Sequence, residues 1–243
     1  MILLGQIHAL FVFLNNTGMT YALLVLLGLV LGSFISAITY RIPRGLGFVK
    51  GRSFCDSCKK ELRWFDNIPL FSFLFYKGKS HCCAKKISIR YPLIEIASAI
   101  GVVFLYPNFL FIILFFLTLL IFIIDLEHQI IPNELSWLVL LLGLFTVHST
   151  PFTALFSGFF VSLLLLSIHL ITRGRGMGLG DVKLAVALGI WLGWPDSIKW
   201  IMTAFIIGGI ISAILLLLRK ANLKTKLAFG PFLIIAFWII LLI

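Results

Sequence analysis

Charged side chains are scarce in this 243-residue chain: Asp, Glu, Lys and Arg together make up 12% of it, and only nine residues are acidic. An ordinary soluble domain, in which about 25% of residues are charged, is therefore excluded. Apolar residues take their place, at 61% of the chain and a mean hydropathy of +1.12. The ten-residue alternation of an outer-membrane barrel is missing as well. What the chain does have is a series of apolar segments of membrane-spanning length separated by short polar breaks. The expected fold class is an all-α polytopic membrane protein. The apolar start, Met1–Leu14, lacks a basic leader region and a small-residue cleavage site, so no removable signal peptide is expected; a re-entrant or interfacial piece is the alternative there.

About eight transmembrane helices are expected, at residues 20–40, 91–106, 108–125, 134–149, 152–172, 178–194, 198–218 and 227–243. Positive loops stay in the cytoplasm, and twelve of the 20 Lys and Arg residues lie between Arg41 and Arg90. With that segment inside, eight spans also place Arg173, Arg175, Lys183, Arg219, Lys220, Lys224 and Lys226 inside and leave Lys199 alone outside. Both termini then face outward. The net charge of +11 is mostly this bias, which fits contact with anionic lipid rather than nucleic acid.

Residues 41–90 form the one sizeable polar piece, and they carry all four cysteines: Cys55, Cys58, Cys82 and Cys83. A cytoplasmic location disfavours stable disulfides. Cys55-Asp-Ser-Cys58 and Ser80-His-Cys-Cys83 resemble a pair of knuckles around a structural zinc. The second knuckle is irregular, because Ser80 stands where a first cysteine is wanted. Cys55, Cys58 and Cys83 are the expected ligands, with His81 or Cys82 as the fourth. A domain this small has little core, so a metal would supply much of its folding free energy. Reduced thiols that merely pack are the competing reading.

Ionisable groups inside spans are functional candidates by default. Asp125 closes one span and Asp181 opens another, and the charge count puts both on the cytoplasmic side. From Asp181 to Trp194 is only 14 residues, roughly 21 Å of helix at about 1.5 Å per residue. A hydrocarbon core of about 30 Å needs more, so the span is expected to start near Arg175 and to hold Asp181 below the membrane surface. Gly176, Gly178 and Gly180 clear the approach for an unwound entry, close helix contact or a bound extended peptide. Unpaired backbone at that depth calls for a water-filled cavity. Two carboxylates in such a site would share a proton and could run aspartic-protease chemistry. A helix cap, a snorkelling acid and a proton or ion relay are the alternatives.

These residues are similar to a known family. "GSFISAITYRIPRG" at 32–45, "CDSCKKELRWFDNIPLFSF" at 55–73, "ISIRYPLIEI" at 87–96, "IDLEHQIIPN" at 124–133 and "GMGLGDVKL" at 176–184 resemble, in order, the bacterial type IV prepilin peptidases, membrane aspartic proteases that are also N-methyltransferases. The resemblance implies a catalytic pair of Asp125 and Asp181, the latter in the motif Gly178-Leu-Gly180-Asp181. It implies prepilin and pseudopilin substrates, cut after a glycine at the cytoplasmic face of the inner membrane. It also implies methylation of the new N-terminal residue with S-adenosylmethionine. No glycine-rich nucleotide loop for that co-substrate stands out. The expected divisions are 1–40, an apolar segment with the first span; 41–90, the cysteine-rich subdomain; and 91–243, the peptidase.

Among lesser candidates, Glu95 follows Pro92 at a span start, where an acid complements the helix dipole; a contact with a cationic leader or with the methyl donor is the alternative. Lys183 reads as snorkelling to lipid or as a partner that lowers a carboxylate pKa. Glu127 and His128 are expected in a polar loop, and Asp66-Asn67 in a turn before Pro69. His8, His148 and His169 are scattered and are expected to tune no chemistry. Gly28-x-x-x-Gly32 and Gly189-x-x-x-Gly193 are helix-packing candidates. A peptidase without methyl transfer, a proton-coupled transporter and a non-enzymatic assembly scaffold are the competing functions.

Overall fold

A computed structural model describes residues 17–45, 53–55, 57–146, 151–220, 222, 225 and 227–243. The apolar start, with His8, lies outside them, as do Asp56, His148, Lys224 and Lys226. The described residues form an all-helical fold of nine α-helices: α1 Thr17–Arg41, α2 Phe71–Phe75, α3 Arg90–Leu105, α4 Phe109–His128, α5 Asn133–Thr146, α6 Pro151–Ile171, α7 Leu179–Leu192, α8 Asp196–Leu217 and α9 Gly230–Leu242. Four of these, α1, α4, α6 and α8, are long and apolar enough to cross a membrane. Large apolar side chains such as Val30, Phe104, Leu163 and Met202 are exposed on the helices, as lipid-facing residues would be.

The chain divides into two compact units, Met1–Phe116 and Leu117–Ile243. In the first, α1 and α3 pack along a seam of small residues. A Cβ on Gly28 would come within 2.5 Å of the Ala99 Cα, and one on Gly32 within 2.7 Å of the Glu95 Cα. Both glycines are thus required for close backbone approach. Between the two helices lies the cysteine-bearing segment, held by two short antiparallel bridges, a 3₁₀ turn at Trp64–Asn67 and α2.

In the second unit α7 is surrounded, touching α5, α6, α8 and α9. Its apolar residues run all round, as a helix without a solvent face requires, and Leu184 and Leu188 are completely buried. The Trp191 indole donates to the Val139 carbonyl at 2.9 Å, tying α7 to α5, and the Trp200 indole donates to the Leu233 carbonyl at 2.8 Å, tying α8 to α9. The second glycine pair separates in role. Gly189 packs against Gly158, where a Cβ would stand 2.8 Å from the Gly158 Cα, but Gly193 ends the helix at φ 67° with open space around it. Only a glycine tolerates that backbone readily, so Gly193 is a stop signal and not a packing residue.

Candidate active site and metal centre

Asp125 sits one turn from the end of α4 and Asp181 in the first turn of α7; both are buried, at 4% and 7% exposure. The helix carrying Asp181 starts at Leu179 and not near Arg175. The seven residues before it form a loop instead, because three glycines disfavour helix and the loop has its own partners. Thr172 Oγ1 accepts the Gly176 N–H at 3.1 Å, and His169 Nδ1 lies 2.7 Å from the Met177 carbonyl. His169 therefore anchors the loop, a role its position in the sequence gave no sign of.

Each carboxylate is fixed by a backbone N–H at a helix start. Gly178 donates to Asp181 Oδ2 at 3.1 Å, and Gly230, the first residue of α9, donates to Asp125 Oδ2 at 3.1 Å. Both donors belong to the set a helix N-terminus leaves without intrahelical partners. Asp181 Oδ1 is buried and takes no hydrogen bond from the described residues. Ile131, between α4 and α5, joins the two sites: a Cβ on Gly180 would lie 3.1 Å from its Cβ, and one on Gly230 would lie 3.2 Å from its Cδ1. The structure thus brings together the two aspartates that the sequence singled out, and adds Gly230 and Ile131, which it did not.

Lys183 donates to Asn133 Oδ1 at 3.0 Å, linking α7 to the start of α5. Glu127 and His128 are helical and not in a loop, since α4 runs on to His128; their side chains approach each other at 4.0 Å. Glu95 lies beyond the first turn of α3, so dipole complementation does not account for it. It is 6% exposed, and its Oε2 accepts the Leu70 N–H at 2.8 Å.

The two knuckles are copies of one turn. Cys55 N–H donates to the Lys60 carbonyl and Lys59 N–H to that of Cys55; Ser80 N–H donates to the Lys85 carbonyl and Ala84 N–H to that of Ser80. Lys59 and Ala84 both take positive φ, at 60° and 54°, and the bridges Phe54–Glu61 and Lys79–Lys86 close the two turns. Ser80 is therefore the structural equivalent of Cys55, and Cys83 that of Cys58. The missing sulfur comes from Cys82, one residue inside the turn: the four cysteine Sγ atoms lie within 4.8 Å of one another. Ser80 Oγ stays among them, 3.2 Å from both Cys55 Sγ and Cys82 Sγ. Tetrahedral zinc with bonds of about 2.3 Å spaces its sulfurs about 3.8 Å apart, and Cys55 and Cys83 are separated by 3.8 Å. His81 stands outside this cluster, its Nδ1 3.9 Å from Asp66 and its ring against Phe65 and Tyr76. Burial opposes ionisation of Cys55, but hydrogen bonds from Ser80 and from the Cys58 and Ser57 backbone outweigh it and bring the thiol to about 6. Cys82 is pushed up to about 12, first by its hydrogen bond with Cys58. A donor set of four sulfurs, one already inclined to thiolate, suits a soft divalent ion.

The sequence as a whole is similar to known proteins. Residues 26–109 match the bacterial peptidase A24 N-terminal domain, and residues 111–213 match the type IV leader peptidase family. A prepilin leader peptidase/N-methyltransferase of Pseudomonas aeruginosa is 36% identical over 90% of this chain and 88% of its own. One of Stutzerimonas stutzeri is 31% identical over 95% and 93%. This chain belongs to the type IV leader peptidase family. A third relative of the same name, from Klebsiella pneumoniae, is 36% identical over 70% of this chain and 84% of its own. No solved structure matches. The boundary between the two matched segments falls at the start of α4, close to where the chain divides into its two units.

Proposed function

We propose that this chain is a membrane aspartic endopeptidase that removes the basic leader of prepilins and pseudopilins after a glycine, and then N-methylates the new N-terminal residue with S-adenosylmethionine. The observation that carries the proteolytic half is the convergence of Asp125 and Asp181, two buried carboxylates each steadied through Oδ2 by one backbone N–H. One carboxylate takes a proton from water as the water oxygen attacks the scissile carbonyl, while the other donates a proton to the carbonyl oxygen. Collapse of the tetrahedral intermediate breaks the C–N bond, and the leaving amine receives the proton held by the pair.

Eight membrane spans are our reading of α1 and α3–α9. The short ones support it in a specific way. Helices α5, α7 and α9 have 14, 14 and 13 residues, so at about 1.5 Å per residue each falls some 9 to 10 Å short of a 30 Å hydrocarbon core. The residues around the aspartates lie at the starts of these helices. In this reading the site is a water-filled recess below the cytoplasmic face, where a peptide leader can enter while the apolar helix behind it stays in lipid. The orientation, with both termini outward and the cysteine segment inside, rests on the charge count. The functional divisions at residues 40 and 90 are likewise part of this reading, as is a structural zinc held by Cys55, Cys58, Cys82 and Cys83.

The test is cleavage of a co-reconstituted prepilin by wild type, Asp125→Asn and Asp181→Asn, with the new N-terminus read by mass spectrometry. Both variants should lose cleavage while keeping the elution profile of the folded protein. Cleavage retained by either would remove that aspartate from the mechanism.

A further inference from the structure

The basic, polar segment between α1 and α3 presents bulky apolar side chains where water would be expected. Phe71, Leu74 and Phe75 of α2 are 59%, 72% and 67% exposed. They stand at i, i+3 and i+4, so they share one face of the helix, and the Phe71 and Phe75 rings stack with centroids 5.7 Å apart. Trp64, in the 3₁₀ turn that α2 touches, is exposed as well. An apolar face on an otherwise polar piece marks a surface that something covers. Two measures give the depth at which α2 sits. Glu95 Oε2 accepts the N–H of Leu70, the residue before α2, at 2.8 Å. Glu95 lies five residues after Arg90 at the start of α3, about 7 Å along the axis. It is also level with Gly32 of α1, since a Cβ there would come within 2.7 Å of the Glu95 Cα. Gly32 stands nine residues short of Arg41 at the end of α1, about 13 Å of helix. Leu93 and Ile96, on either side of Glu95, are exposed, and α1 is long and apolar enough to cross a membrane. The entry to α2 is therefore held inside the ends of two apolar helices and not out beyond them.

We propose that α2 is a membrane-interface anchor, its Phe71, Leu74 and Phe75 face seated at the acyl-chain boundary and the lysines behind it on anionic lipid headgroups. This rests on α1 and α3 being membrane spans, and not on the peptidase chemistry. Lipid is the occupant because the face starts several ångströms inside the ends of α1 and α3, at the depth where interfacial helices bury their apolar sides and where a soluble partner does not reach. The headgroups are anionic because the charge around α2 is of one sign. Lys77 and Lys79 follow the helix directly and are exposed, and residues 41–90 carry twelve Lys and Arg against three acids, Asp56, Glu61 and Asp66. The cysteine subdomain is thereby held at a third point, besides its two covalent joins to α1 and α3, and cannot swing about them.

The experiment uses the full chain in nanodiscs of phosphatidylcholine, with and without phosphatidylglycerol. A diazirine carried on a lipid acyl chain labels from the membrane, hydroxyl radicals label from water, and mass spectrometry maps both. The peptide holding Phe71–Phe75 should take acyl-chain label at a level comparable to α1, stay protected from the radicals, and take severalfold less acyl-chain label in phosphatidylcholine alone. Leu74→Glu should lose the α2 label severalfold, with the α1 label and the zinc content unchanged as checks on folding. Lys77→Glu with Lys79→Glu should bring the label in the mixed discs down to that in phosphatidylcholine alone. Radical oxidation of Phe71–Phe75 would overturn the proposal, because the face would then be in water. Protection from both reagents would overturn it too, because protein, from the second unit or a second copy, would then be the cover. Equal acyl-chain label in the two lipids would overturn the assignment of anionic headgroups, and label missing from α1 as well would sink the span reading and this inference with it. The labelling reads no catalysis, so a chain that cleaves no prepilin yet labels at α2 would sustain the anchor and sink the peptidase reading.

Discussion

Gly230 donates its N–H to Asp125 Oδ2, and a Cβ on it would stand 2.5 Å from that same oxygen. Gly230→Ala must therefore displace either the Asp125 carboxylate or the start of α9. A misplacement of about 1 Å at a reacting group can cost on the order of a hundredfold in rate, and that is the expected loss in kcat for prepilin cleavage, with KM little changed. Gly180→Ala meets the aliphatic Ile131 side chain at 3.1 Å, which can yield by a few tenths of an ångström, so its loss should be about tenfold smaller. Initial-rate measurements on the two variants check the order, and Gly180→Ala proving the more damaging would refute this account. The aspartates were legible in the sequence because acids are rare there and stand at the edges of apolar runs. Gly230 was not: it lies 105 residues from its partner, and Gly-Pro before an apolar run reads as an ordinary helix start.

Among the elements, the knuckles show what spacing can and cannot tell. Cys55-x-x-Cys58 announces a turn with two ligands, and Ser80 announces that the second turn is defective. Which residue repairs it depends on the fold of the turn, because Cys82 reaches the cluster only when Ser80 and Cys83 take the places in their turn that Cys55 and Cys58 take in theirs. This gives a paired prediction. Cys82→Ser should lower zinc from about one per chain to well below half, with loss of protease resistance in residues 53–90. Adding Ser80→Cys to that variant should restore the zinc, because position 80 is the equivalent of position 55. Elemental analysis of protein purified without chelators decides it; a double variant as empty as the single one would show that the two turns are not equivalent. The start of α7 differs from the expected one for a related reason. Membrane thickness argues for a helix from Arg175, but the glycines and the His169 anchor favour a loop, and the helix has only 14 residues.

For the whole molecule, the charge count and the helix order make one claim together: the ends of α4, α5, α7 and α9 that surround the aspartates face the cytoplasm. Of the lysines, Lys199 alone then lies outside, in the first turn of α8 just after its short connection to α7. Its side chain is 65% exposed although it donates to Asp196 at 2.7 Å, an exposed pair too weak to shield it from a reagent. A membrane-impermeant amine-acylating reagent applied to intact spheroplasts should therefore label Lys199, whereas Lys77, Lys79 and Lys183 should be labelled only after lysis. Mapping the acylated peptides by mass spectrometry gives the answer. Labelling of Lys77 or Lys79 before lysis would invert the topology, put the cysteine cluster in an oxidising compartment where thiol ligands are not kept reduced, and place the aspartates on the wrong side for a leader that is still cytoplasmic. Lys199 labelled alone would mean that the site opens to the compartment in which newly made prepilins present their basic leaders, and that the short helices α5, α7 and α9 shape its entrance from that side.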